Sequence, residues 1–326
     1  MGRASEYGLQ GEKMHIPEQV NYLAAFLTFR CSMSCPYCIN RYGGLSMNEY
    51  EMSTQEWIET LNKIPASEER PISLQGGEPL MRTDFYEIIQ NSQGPFDLLT
   101  NGQFDPENFI ARCSPDMFRK SLGRDTDAWF SSIRVSYHVR HWDTDNQEAY
   151  DNRIVRVVKM LQDAGYKIGI TSPDHPNYQD KIGEFESRCK QEKIKFQRKE
   201  FLGYAGGKLY GTFKYATGLS GNLQDCKCRG TELLVAPDGM TYRCHRDLYL
   251  RQQPTGHILA SNFEMQYTWR DCANFGDCNP CDLKLKTNRF GEGGHCSVEV
   301  SNFKNQYKPR GFTVGSTCSM SVGGVG

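Results

Sequence analysis

Residues 22–38 read Tyr-Leu-Ala-Ala-Phe-Leu-Thr-Phe-Arg-Cys-Ser-Met-Ser-Cys-Pro-Tyr-Cys. The run 22–29 is the longest apolar stretch of the chain. It falls far below the ~20 residues that cross a bilayer, and it has the length of a buried strand. Directly after it stand Cys31, Cys35 and Cys38, spaced C-x3-C-x2-C. Three thiolates within eight residues can wrap one corner of a metal cluster. A cubane of four irons held by three cysteines leaves one iron without a protein ligand. An open metal position is what a reactive site needs in order to bind a reactant.

Outward from this loop the chain alternates short apolar runs with amphipathic helices. Strands are predicted at 72–75, 96–100, 133–136, 166–171 and 194–197. Helices are predicted at 53–64, near 106–111 and at 146–164, with one more after the second strand and one after the fifth. Ser53 followed by Glu56 forms a capping box for the first helix, which turns Trp57, Ile58, Leu61 and Ile64 to one face. Phe85, Ile88 and Ile89 mark the second helix, and Ile182, Phe185 and Cys189 the fifth. Six such units predict an α/β fold, a partial (β/α)6 TIM-like barrel. A doubly wound open sheet is the alternative. Either fold gathers its chemistry at the carboxyl ends of the strands.

The chain has 326 residues, 38 basic against 39 acidic, and 38% are hydrophobic. That balance exerts no pull toward nucleic acid or an anionic membrane. Residues 1–14 lack the apolar core of a signal peptide, so the expectation is a cytoplasmic protein with neither partner. Thirteen cysteines is a high and odd count. Their tight clustering favours metal ligands over disulfides.

The cysteine loop, with Tyr37 just before its third cysteine, resembles the signature of the radical S-adenosylmethionine (SAM) superfamily. Gly76-Gly77-Glu78-Pro79, ending the second strand, resembles that family's Gly-Gly-Glu-Pro segment. The resemblance implies that Cys31, Cys35 and Cys38 hold a [4Fe–4S] cluster and act in catalysis. It implies that SAM binds the open iron through its amino and carboxylate groups. One electron from the reduced cluster then cleaves SAM to methionine and a 5′-deoxyadenosyl radical, which takes a hydrogen atom from substrate. Gly76, Gly77, Glu78 and Pro79 are expected at the SAM amino group, where glycines allow close backbone approach. Tyr37, Asn101 of Thr100-Asn101-Gly102, Ser136 and Arg153 are further SAM-binding candidates. Arg153 fits a solvated helix face equally well. His138 departs from the family's common Ser-x-Asp pattern after the fourth strand.

Cys228, ten residues, Gly239, four residues and Cys244 resemble the opening of the SPASM and twitch extensions of the same superfamily. Asp238-Gly239 is a hairpin signal that returns Cys244 toward Cys228. Cys278 and Cys281 complete four implied ligands of one auxiliary [4Fe–4S] cluster, and Cys272 can replace one of them. Cys226 and Cys296 are left over, so a second auxiliary cluster stays open. A zinc site is the alternative at both cysteine groups, and a zinc-binding scaffold without catalysis is the rival from another class.

The expected domains are a lead-in at 1–19, the barrel at 20–200, the auxiliary domain at 201–300 and a flexible tail at 301–326. Cys113 and Cys189 read as core thiols. Arg243, His245, Asp247, Asp174 and His175 are candidates for handling a substrate proton, and Tyr204 and Tyr210 for touching substrate. The domain pairing implies peptide or protein modification first, and dehydrogenation of a small alcohol or sugar second. It also implies a flavodoxin- or ferredoxin-type electron donor.

Overall fold

The computed structural model describes residues 13–20, 22–35, 37–38, 50–119, 131–139, 147–201, 203–206, 208–210, 224–275 and 298–301. Six strands form first: β1 (Tyr22–Thr28), β2 (Ile72–Gly76), β3 (Phe96–Thr100), β4 (Ile133–Ser136), β5 (Ile168–Asp174) and β6 (Phe196–Glu200). Between them lie α1 (Thr54–Lys63), α2 (Phe85–Gln90), α3 (Pro106–Arg112), α4 (Gln147–Asp163) and α5 (Gln179–Gln191). The capping box at α1 is present in both directions. Asp105 caps α3 from two N–H groups, and Pro106 occupies its first turn. Gly165 ends α4 at φ +90°, and the Tyr166 N–H reaches back to the Leu161 carbonyl at 2.9 Å. This closes the helix through a left-handed residue that glycine adopts without strain.

The six strands pair in parallel and in chain order. A doubly wound sheet reverses its strand order at a switch point. This one does not, so the partial barrel holds. β5 starts and ends later than the periodicity predicts. Its pairing with β6 continues as far as Asp174 opposite Glu200, and this carries Pro173 into a strand.

Beyond β6 come β7 (Gly203–Ala205), β8 (Lys208–Tyr210), β9 (Gln224–Gly230), β10 (Glu232–Val235), β11 (Met240–Tyr242), α6 (His245–Leu250), β12 (Gly256–His257), β13 (Arg270–Phe275) and β14 (Val298–Ser301). β10 lies parallel to β1, and β11 and β12 follow in antiparallel pairing. The nine-stranded order is β12-β11-β10-β1-β2-β3-β4-β5-β6. The barrel sheet therefore runs on past residue 200. Gly239, at φ +80°, sits in the turn between β10 and β11, as Asp238-Gly239 predicts. A second sheet of order β13-β9-β14 and the β7–β8 hairpin stand apart from it.

One face of the main sheet packs on helices. Leu23, Leu74, Leu98, Val135 and Ile170 share a core with Trp57, Phe85, Phe109, Ile154 and Phe185. On the opposite face, Ala24, Phe26, Leu234 and Ala236 pack against Leu248 and Tyr249 of α6. β1 is thus buried on both faces, as a central parallel strand is. Farther along that concave face the residues turn polar. Asp97, fully buried, accepts from Ser73 Oγ and from Arg134 Nη2 at 2.8 Å. Gln75 donates to the Tyr22 hydroxyl at 3.1 Å. A buried charge is tolerable only when paired and hydrogen-bonded, as this one is.

Candidate SAM and iron–sulfur site

The carboxyl ends of β1 to β4 bring the sequence candidates to one end of the sheet. Cys31 stands three residues beyond the end of β1, and its thiol, like those of Cys35, Cys38 and Cys244, is in no disulfide. The loop folds on itself: the Cys38 N–H donates to the Cys35 carbonyl at 3.1 Å, and the Met33 N–H to Cys31 Sγ at 3.4 Å. Asn101, at the end of β3, donates its Nδ2 to Cys31 Sγ at 3.7 Å and to Ser32 Oγ at 3.1 Å. Burial pushes the Cys31 thiol up, while the Met33 and Asn101 donors pull it down. A bound cation supplies the charge that takes such a proton off.

Gly76 and Gly77 are required by packing. A Cβ on Gly76, at φ +144°, would lie 2.0 Å from the Thr28 carbonyl oxygen. One on Gly77 would lie 2.2 Å from that of Arg30. The approach is sealed by hydrogen bonds from the Gly77 N–H to Thr28 O at 2.7 Å and from the Glu78 N–H to Arg30 O at 2.8 Å. The end of β2 is thereby fixed to the root of the cysteine loop.

Glu78 is buried, and both its carboxylate oxygens are occupied. Oε1 accepts from Thr100 Oγ1 at 2.9 Å and from the Leu80 N–H at 3.2 Å, while Oε2 accepts from the Asn101 N–H at 2.6 Å. Burial raises its pKa to about 7, and the three donors oppose the rise. The side chain joins the Gly76–Pro79 segment to the Thr100–Gly102 segment. Pro79, also buried, opens the short 3-10 turn Pro79–Met81.

Tyr37 lies over the same end. Its hydroxyl is 3.0 Å from His138 Nδ1, and its ring centroid is 5.4 Å from that of His175 and 5.9 Å from that of Phe201. Burial, and secondarily Lys199, lowers the His138 pKa to about 4. The ring is neutral near pH 7, so Nδ1 can accept the Tyr37 hydroxyl proton. Sequence reading singled out His138 only as a departure from a pattern and missed this contact. Ser136 ends β4, half-buried, opposite Thr171. Arg153 lies on the exposed side of α4, which fits the solvated helix residue. Asp174 accepts from Arg198 at 3.1 Å, and His175 caps a 3-10 turn.

In the later region Cys244 caps α6, its Sγ accepting from the Asp247 N–H at 3.5 Å. Arg243 pairs with Asp247 at 2.9 Å and donates to the Asp271 carbonyl at 3.1 Å. His245 Nδ1 is 3.1 Å from Glu232 Oε2. Cys228 stands in β9, opposite Arg270 of β13 and Val300 of β14, and Cys272 pairs directly with Cys226. That cross-strand pairing has no signal in the spacing of the cysteines. Cys278, Cys281, Cys296 and Cys318 lie outside the described residues, as do residues 302–326 of the expected tail. Tyr204 and Tyr210 sit in β7 and β8. Cys113 and Cys189 are buried, with thiols pushed up to about 12 by burial.

Among the described residues no three His, Cys, Asp or Glu side chains converge as ligands of a single ion. A cubane asks for something else, since each of its irons takes its own thiolate. Three cysteine thiols in one short loop, with two N–H donors aimed at Cys31 Sγ, suit that demand. No helix among the described residues is long and apolar enough to cross a membrane.

The chain is similar to solved structures described as native anSMEcpe with bound AdoMet (16% identity, TM-score 0.48, covering 83% of this chain and 81% of that one). It is also similar to native anSMEcpe with bound AdoMet and Kp18Cys peptide (15%, 0.48, 83% and 82%). A third similar structure is native anSMEcpe with bound AdoMet and Cp18Cys peptide (14%, 0.45, 83% and 81%). Residues 26–108 match the family model described as the Radical SAM superfamily, and that span holds the cysteine loop, the Gly76–Pro79 segment and the Thr100–Gly102 segment.

Proposed function

We propose that this protein is a radical SAM enzyme that holds a [4Fe–4S] cluster through Cys31, Cys35 and Cys38 and binds SAM beside it. The supporting observation is the stitching of three strand ends into one unit. Gly77 and Glu78 bond to Thr28 and Arg30, Glu78 bonds to Thr100 and Asn101, and Asn101 bonds to Cys31. When bound, the cluster and SAM together supply a 5′-deoxyadenosyl radical able to take a hydrogen atom from substrate.

The chain's own residues have distinct tasks in this reading. Asn101 donates to Cys31 and orients the loop. Gly76 and Gly77 let the SAM-binding turn lie against the root of that loop. Glu78, its oxygens already engaged, holds the turn in place, which leaves backbone groups to meet the SAM amino group. Tyr37, positioned by His138, covers the site and keeps water out. Ser136 faces the ligand from β4.

We assign residues 20–200 to the radical SAM barrel, whose sheet β10 to β12 extend, and the rest of 201–300 to an auxiliary cluster domain, with Cys228, Cys244, Cys278 and Cys281 as ligands and Cys272 as an alternate. Peptide or protein modification is the proposed activity, with a flavodoxin- or ferredoxin-type reductant. The test is anaerobic purification, a count of iron, sulfide and zinc, and an assay for 5′-deoxyadenosine after SAM and dithionite are added. Iron with deoxyadenosine formed, lost in Cys35→Ala, is expected. Zinc in place of iron, with no deoxyadenosine after reconstitution, overturns the reading. Candidate peptides, small alcohols and sugars added to the same assay then identify the substrate class.

A further inference from the structure

The cysteine loop leaves β1 at Thr28 and rejoins described structure at residue 50, just before α1. Its two ends meet at one carboxylate. Glu51 Oε1 accepts from Thr28 Oγ1, and Glu51 Oε2 accepts from Arg30 Nη2 at 3.1 Å and from Arg82 Nη1 at 3.3 Å. Thr28 and Arg30 are the residues whose carbonyls take the Gly77 and Glu78 N–H groups. Arg82 is buried and lies just beyond the same turn. It donates to the Leu27 carbonyl at 3.2 Å, to the Met52 carbonyl at 3.1 Å, and to Asp84 through Nε at 2.9 Å and Nη2 at 2.7 Å. Thr54 of α1 closes the chain of bonds by donating to Asp84 at 2.6 Å.

We infer that Glu51 is a positioning residue for the iron–sulfur cluster, a clasp that fixes both ends of the cysteine loop against the SAM-binding turn. The inference rests on the radical SAM reading of that loop. Two carboxylates face two guanidiniums here, so the charges balance. Charge-assisted hydrogen bonds of this kind are the stronger and more directional class. A plain ion pair near the surface would contribute little to stability and nothing to the metal. The clasp instead joins residues 21 and 23 positions apart and sets where Cys31 begins. Its loss loosens the loop while the core beneath stays packed. Iron is then lost sooner, although the fold persists.

The test uses the full chain, reconstituted without oxygen. Iron release to a ferrous chelator is followed for wild type, Glu51→Ala, Glu51→Gln and Thr28→Val. A chain with Cys31→Ala, Cys35→Ala and Cys38→Ala combined reports the iron held elsewhere. The variants should release cysteine-loop iron about tenfold faster, an effect of ~1.4 kcal/mol on the barrier. Their circular dichroism and thermal midpoints should stay close to wild type. The electron paramagnetic resonance signal of the reduced Glu51→Ala protein should broaden when SAM is added. Thr28→Val is nearly isosteric, so it decides the matter if Glu51→Ala fails to fold. Release rates and spectra equal to wild type overturn the clasp alone. A wild type that holds no more iron than the triple cysteine variant overturns the radical SAM reading and the clasp with it.

Discussion

The Glu78 carboxylate accepts the Asn101 backbone N–H at 2.6 Å, which ties the carboxyl ends of β2 and β3 together from inside the protein. Burial holds its pKa near 7, above the ordinary 4.5. The folded state therefore binds this proton more tightly than the unfolded state does. Stability from this group is full below pH ~4.5 and is lost as pH rises toward 7. Glu78→Gln should remove that decline, on the order of 2 kcal/mol across the window. Urea unfolding of the apo protein at several pH values checks it, and an unchanged slope refutes it.

His138 carries the opposite sign. Its folded pKa is lowered to about 4 from 6.5, so the folded ring binds its proton less tightly than the unfolded one. The stability it contributes is present above pH ~6.5 and is lost as pH falls toward 4. The ring is partly exposed, and solvent trims the effect to about 1 to 2 kcal/mol. His138→Phe should flatten the acid limb of a thermal-midpoint profile of the apo protein. It should also weaken SAM binding, because the Tyr37 hydroxyl loses its contact with Nδ1.

Gly77→Ala places a methyl group 2.2 Å from the Arg30 oxygen and 2.4 Å from the Phe29 oxygen. Both atoms are backbone and cannot rotate away. A loss of about 3 kcal/mol or more is expected, with loss of iron from the cysteine loop. Gly102→Ala meets Ile154 and Val135 side chains at 2.8 and 2.9 Å, at φ +73°. Side chains yield, so about 1 to 2 kcal/mol is expected there. Denaturant midpoints of the two variants should fall in that order.

Arg243 and Asp247 are both buried, and each is the other's ion-pair partner at 2.9 Å. Arg243→Ala leaves the buried Asp247 carboxylate with only the more distant Arg246, 3.6 Å away, at a cost of up to about 3 kcal/mol. A drop in unfolding free energy, with deoxyadenosine formation per folded molecule retained, would mark the pair as structural. A selective loss of turnover in a stable protein would mark it as catalytic.

The six strands and the five helices between them were legible because each leaves a local trace. Trp57 and Leu61 recur at helical spacing, and Ser53 with Glu56 announces a helix start. The cysteine loop and Gly76–Pro79 were legible for the same reason, since each is a short contiguous pattern. What escaped was long-range. Asp97 and Arg134 sit far apart in the chain, and only the pairing of β3 with β4 brings them together. Glu51 is one acidic residue among many until Thr28, Arg30 and Arg82 surround it. The extension of the sheet through β10 escaped for a similar reason, because nothing in Glu232–Val235 names β1 as its neighbour.

That neighbour imposes an order on assembly. Leu23 pairs with Ile72 on one side and Leu233 on the other. During synthesis the first partner follows quickly. The second emerges only after some two hundred further residues, about 10 to 40 s later at ordinary rates of translation. Throughout that interval the strand bearing the cysteine loop offers an apolar open edge, the kind of surface on which unfinished chains join one another. Any species ending before residue 232 keeps that edge for life. The segment that shields the cysteine strand is therefore also the one whose arrival ends the nascent protein's exposure to aggregation.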